Sequence, residues 1–160
     1  MNTPEMIFYG HKDVMEAVQG LKAKDWTKVG ATTKWSIKDV MAHLASYEHL
    51  LVDALNSVVS KKKPTPYLNA RIKNYKSFND NQIAARKDYS VQKTLTEYVK
   101  TFKEVEKMIK KISAKLLAKP GTISWYGKQY SLEDFIVYAN YAHKCGHVGQ
   151  IHVFRKRVEI

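Results

Sequence analysis

Eight residues between Val91 and Leu116 recur at alternating spacings of four and three: Val91, Leu95, Tyr98, Phe102, Val105, Ile109, Ile112 and Leu116. Among regular structures, the α-helix brings such a series onto one line, so the segment must bury one face against other helices. Ser90 can cap the first amides of this helix, and Pro120-Gly121 is a stop signal, so the spacing predicts a helix that runs to Leu116 or beyond.

Other segments repeat the pattern. Thr3-Pro4-Glu5 reads as a cap, a first-turn proline and a first-turn acid, followed by Ile7, His11, Val14, Val18 and Leu21 in a helix ending near Trp26 and Gly30. Ser36 and Asp39 form a capping pair flanked by Trp35 and Val40, and Val40, Leu44, Tyr47, Leu51, Ala54 and Val58 make the buried stripe. Ser60 to Pro66 is a loop. Residues 67–89 read as a crossover with short helices around 68–77 and 79–87.

Thr122 to Tyr130 is a connection with room for a short hairpin around Gly127. Ser131 and Asp134 then open a last helix carrying Phe135, Ile136, Ala139, Ala142, His143, Gly146, His147, Gln150, Val153 and Phe154. Gly146 and Gly149 each cost a helix about 1 kcal/mol relative to alanine. Close approach of a helix or ligand would explain them. The expectation is an all-α chain: a four-helix bundle with a long crossover between helices two and three, forming a single domain over residues 1–160.

The last helix contains the main chemical signal. His143 and His147 are one turn apart and share a face, and His43 lies on or beside the buried stripe of the second helix. If the two helices pack together, three imidazole nitrogens can meet at one point, leaving coordination positions of a divalent ion open. Asp39, one turn before His43, could orient that ring, although capping competes for its carboxylate. His11 falls in the seam of the first helix, as a core residue or a fourth pocket histidine. Cys145 lies about 200° around the helix from His143 and faces away. His49 and His152 are expected to face solvent.

Charge is uneven along the chain. Of the net +12, residues 61–119 hold +11, from 16 basic and 5 acidic side chains. Such a field attracts nucleic acid, anionic lipid or an acidic substrate, and it is also what a lysine-rich solvated helix face produces. No run of roughly 18 apolar residues exists to span a membrane. The N-terminus lacks a signal-peptide pattern, and the one cysteine allows no intrachain disulfide, so a cytoplasmic location is expected.

The stretches WSIKDVMAHLASYEH (35–49) and YAHKCGHVGQIHVFRKR (141–157) resemble the two signatures of the DinB-like superfamily. NDNQIAARKDYSVQKTL (79–95) and WYGKQYSLEDFIVY (125–138) resemble its branch that includes ClbS and DfsB. The resemblance implies a four-helix bundle, frequently dimeric. It also implies a divalent ion (zinc, nickel, iron or manganese) held at the positions of His43, His143 and His147. Cys145-Gly146 stand between the paired histidines where charged residues are more usual.

No phosphate-binding glycine loop, G-x-S-x-G, C-x-x-C or H-E-x-x-H is present. An enzyme built on this chain would rely on a metal to polarise a substrate oxygen or to lower the pKa of water or a thiol. The resemblance implies hydrolysis of a small electrophilic molecule or transfer of a thiol onto one. Glu48, Tyr47 and Asp39 are the candidate proton-transfer groups. Two other classes compete: a protein that sequesters a small molecule or metal, and a nucleic-acid partner using the basic segment with Trp125 and Tyr126.

Overall fold

Side-chain caps set where the helices begin. The computed structural model describes residues 2–60 and 62–159. Helix α1 spans Thr3–Val18, and Asn2, not Thr3, is its cap: the Asn2 side chain accepts from Glu5 N, and Glu5 accepts in return from Asn2 N. Thr3 moves inward, where its hydroxyl donates to Glu133 at 2.7 Å. The helix stops at Val18, short of the expected Trp26, because Gln19 turns extended and Gly20 takes φ +73°. Beyond it, Ala23–Asp25 is a single 3₁₀ turn.

Helix α2, Ile37–Val59, starts on the Ser36–Asp39 capping box as its sequence requires. It is the buried axis of the fold, and its most extensive partner is α5 (Val91–Ile109). Between them run α3, Pro66–Lys73, and α4, Phe78–Ala84, which form the crossover. Asp53 of α2 caps α3 from outside, accepting from Tyr67 N at 2.6 Å and Leu68 N at 3.0 Å. Within the loop expected from Ser60 to Pro66, Lys61 lies outside the described residues.

The 91–116 seam is not one helix. It ends at Ile109, and Ser113 starts a new short helix, α6 (Ala114–Leu117), by accepting from Leu116 N. Ile112 and Leu117 still reach the core across the break. A serine that can cap a following turn offers the backbone an alternative to continued helix, and apolar spacing does not register it. The connection at 122–130 is a series of turns closed by Gly121 N donating to Tyr130 O at 2.9 Å, and no hairpin forms around Gly127. Among the described residues, the strand-like pairing is an isolated bridge between Val29 and Ser36.

The last rod has three parts. Helix α7, Leu132–Phe135, opens on the Ser131–Asp134 capping box, passes into a π-helical stretch, Ile136–Ala142, and continues as α8, His143–Val158. With α1, α2 and α5 it completes a four-helix bundle. Gly10 lets α1 approach this rod, since a Cβ there would sit 3.2 Å from Lys144 Cδ and from a Tyr141 ring carbon. By contrast, Gly146 and Gly149 have nothing within 4 Å of where a Cβ would stand, so close approach does not explain them. No described helix is long and apolar enough to cross a membrane.

Two apolar clusters fill the bundle, dividing along α2 between Ala45 and Leu50. Ser46 and Glu48 lie buried in that gap.

Candidate metal centre

Beside the interval between the clusters, α2 and α8 come together at their histidines. His43 projects from α2 three residues after Val40, and His143 and His147 project from the first turns of α8. His43 Nε2 lies 2.8 Å from His143 Nε2, and His147 Nε2 lies 3.0 Å from the same atom. One ligand atom from each ring falls within 4.8 Å of the others. Two nitrogens each about 2.0–2.1 Å from one ion, at a right angle, would stand roughly 3 Å apart, so the spacing fits a shared divalent cation.

The donors are in the protonation state a metal needs. Burial pushes His43 down to about 2, aided by His143, His147 and Arg71. Burial likewise lowers His143 to about 3, helped by His147 and Lys144. His147 is lowered by burial, against an opposing hydrogen bond to Gln150. That bond, 2.8 Å from Nδ1–H to Gln150 Oε1, fixes the tautomer that leaves Nε2 bare. Gln150 is a turn beyond His147, a relation visible in the sequence once His147 is taken as a ligand.

Aromatic rings hold the imidazoles. Trp35 packs on His43 at 4.9 Å and on His147 at 6.4 Å between ring centres. Tyr47 lies 4.7 Å from the His43 ring and 4.4 Å from that of His143, and its hydroxyl reaches Asn79 at 3.4 Å. On its other side, Tyr47 lines a cleft of about 420 Å³ with Leu50, Arg71, Tyr75, Trp125 and Phe135.

The other candidates lie elsewhere. Asp39 is engaged by Ser36, accepting from its backbone N–H at 2.9 Å and from its hydroxyl at 2.7 Å, while His43 Nδ1 has no partner among the described residues. Glu48 is fully buried and pairs with Lys144 at 2.5 Å, with Asn140 Nδ2 donating to it at 3.3 Å. His11 stacks on Phe102, 3.6 Å between ring centres, and is not part of the cluster. His49, expected to face solvent, is only part-exposed: it bonds Glu97 at 3.0 Å and stacks on Tyr67. The non-local pairing with Glu97 is what draws it in. His152 is exposed, as is Cys145.

Trp125 and Tyr126 both pack edge-on against Phe135 and line the cleft. Both rings are part-buried there, with one face left toward the cleft.

Known proteins resemble this chain at the level of the family. The model of the DinB superfamily matches residues 10–151, which include all three histidines. No curated protein matches.

Proposed function

The chain belongs to the DinB superfamily, and from that premise we propose that it is a metal-dependent enzyme acting on a small electrophilic molecule, by hydrolysis or by transfer of a thiol. The observation that carries the reading is the convergence of three neutral imidazole nitrogens on one point. His43, His143 and His147 would hold the ion as a set of three, which leaves positions for a reactant, whereas structural zinc sites almost always use four protein ligands. His11, the one residue that could have closed the set, stacks away on Phe102. When bound, a divalent ion would polarise an electrophile's oxygen or lower the pKa of water or a thiol.

The chain's own groups have separate tasks. Gln150 holds His147 in the ligating tautomer, and Trp35 and Tyr47 brace the rings and keep water from their apolar faces. Of the three proton-transfer candidates, Tyr47 is the one beside both the imidazoles and the cleft, and it is assigned that role here. Within the superfamily, the stretches at 79–95 and 125–138 support membership of the ClbS/DfsB-like branch. We read residues 1–160 as one domain and the working form as a homodimer.

Metal analysis of freshly purified, tag-free protein is the first test, with one divalent ion per chain expected and His143→Ala expected to lose it. Turnover of epoxides, maleyl compounds and activated esters, with and without thiols, should disappear on chelation and return with metal. A His143→Ala protein that loses its ion yet keeps full turnover would refute the assignment. Tight stoichiometric binding without turnover would identify a sequestering protein instead.

A further inference from the structure

Arg71 is the charged residue lining the cleft beside the imidazoles. Its guanidinium lies over the Tyr75 ring, 3.9 Å from the centroid, and the hydrogen bond it makes is a long one of 3.4 Å to the Tyr75 carbonyl. Among the described residues it forms no ion pair. Arg86 shows how a structural arginine is satisfied in this chain. It takes Glu97 with two nitrogens at 2.8 and 2.9 Å and also donates to Gln82 and Tyr67. Arg155 likewise spends its Nη1 on the carbonyls of Ala17 and Gln19.

Arg71 is therefore a half-buried planar cation with free donors, held flat by an aromatic ring at the wall of an aromatic cleft. A guanidinium fork matches a carboxylate in two parallel hydrogen bonds. The volume of about 420 Å³ suits a small molecule. Tyr47, which lines the cleft on one side and touches His43 and His143 on the other, connects the arginine's space to the imidazoles. The +11 charge of residues 61–119, the segment that contains Arg71, raises the local concentration of anions.

We infer that Arg71 is the anion-recognising residue of this cleft and that the molecule it admits is a planar apolar body bearing a carboxylate. The carboxylate sits on the guanidinium, and the apolar body lies among Tyr75, Trp125 and Tyr47, which directs its far end toward the three histidines. The inference rests on the metal-centre reading for what happens to the molecule after binding. Recognition itself requires no metal.

The test uses isothermal titration of the full chain, chelated, with 2-naphthoate and its neutral analogue 2-naphthamide. Wild type should prefer naphthoate by about tenfold or more, the usual scale of a charge-assisted hydrogen bond. Arg71→Gln should abolish that preference while leaving naphthamide affinity and the helical circular dichroism unchanged, and Arg71→Lys should restore part of it. His143→Ala should keep the preference, so a chain that never holds metal still tests the arginine. Equal affinities, no binding of either probe at millimolar concentration, or a preference that survives Arg71→Gln would overturn the inference. So would a preference that appears only when zinc is added, because the anion would then sit on the ion.

Discussion

Glu48 and Lys144 are 0% and 1% exposed, and they face each other in the gap between the two apolar clusters. Removing one partner of such a pair leaves a buried charge uncompensated, so Glu48→Gln is expected to lower unfolding stability by about 3–5 kcal/mol. Replacing both with methionine removes the two desolvation costs together and should recover most of that loss. The urea midpoints of the two variants decide the matter. His11 gives a pH dependence of known sign. Burial, with Lys144 and Lys103 nearby, depresses it from 6.5 to about 4. Below about 6.5 the unfolded chain takes up a proton that the folded chain refuses. The stability held by a neutral His11 is thus complete above that pH and lost as pH falls toward 4. His11→Phe keeps the stack on Phe102 and cannot titrate, so its melting temperature should fall by several degrees less than wild type's between pH 7 and pH 5. Parallel curves would contradict the assignment.

At the scale of the element, Gly146 and Gly149 are helical glycines with open space where a Cβ would stand. Each change to alanine is expected to stabilise the protein by about 0.4–1 kcal/mol, because it reduces the freedom of the unfolded chain without a clash. Chemical denaturation of the two variants below the concentration at which copies associate provides the measurement. The three-histidine cluster was legible in the sequence because both of its signals are local: an interval of four on one helix and a position relative to the stripe of another. The caps at Ser36, Ser90 and Ser131 were legible for the same reason. The break at Ser113 was not, since Ile112 and Leu116 keep the apolar interval through it. Nor was the π-helical stretch at 136–142, which shifts hydrogen bonds by one residue without any change in composition. Lys144, Arg71 and His49 also escaped sequence reading. What each does depends on a residue from a distant segment, and periodicity carries no information about that.

Across the whole molecule, the lysine-rich face of α5 and the exposed apolar side chains of α1 and the last rod lie on different elements. Helix α5 turns Lys93, Lys100, Lys103 and Lys107 to solvent, and Lys110 follows at its end, a face on which two copies would repel each other. The opposite situation holds where α1 and the last rod pack side by side. Phe8 and Tyr9 on α1, and Tyr138 and Val153 on the rod, remain 44–60% exposed. Large apolar side chains left in water on adjacent elements are what an association surface consists of. A homodimer joined there, with the lysines outward, is the expected form. Sedimentation equilibrium at tens of micromolar should therefore return twice the 18.4 kDa of the chain. Val153→Glu is exposed in the single chain, so it should halve that mass without changing the helical spectrum. The same substitution should leave the metal content at one ion per chain, because His43, His143 and His147 all come from one copy. An 18.4 kDa species from the wild type would rule the dimer out. A Val153→Glu protein that loses its ion along with its partner would show that the site needs the second copy to stay assembled.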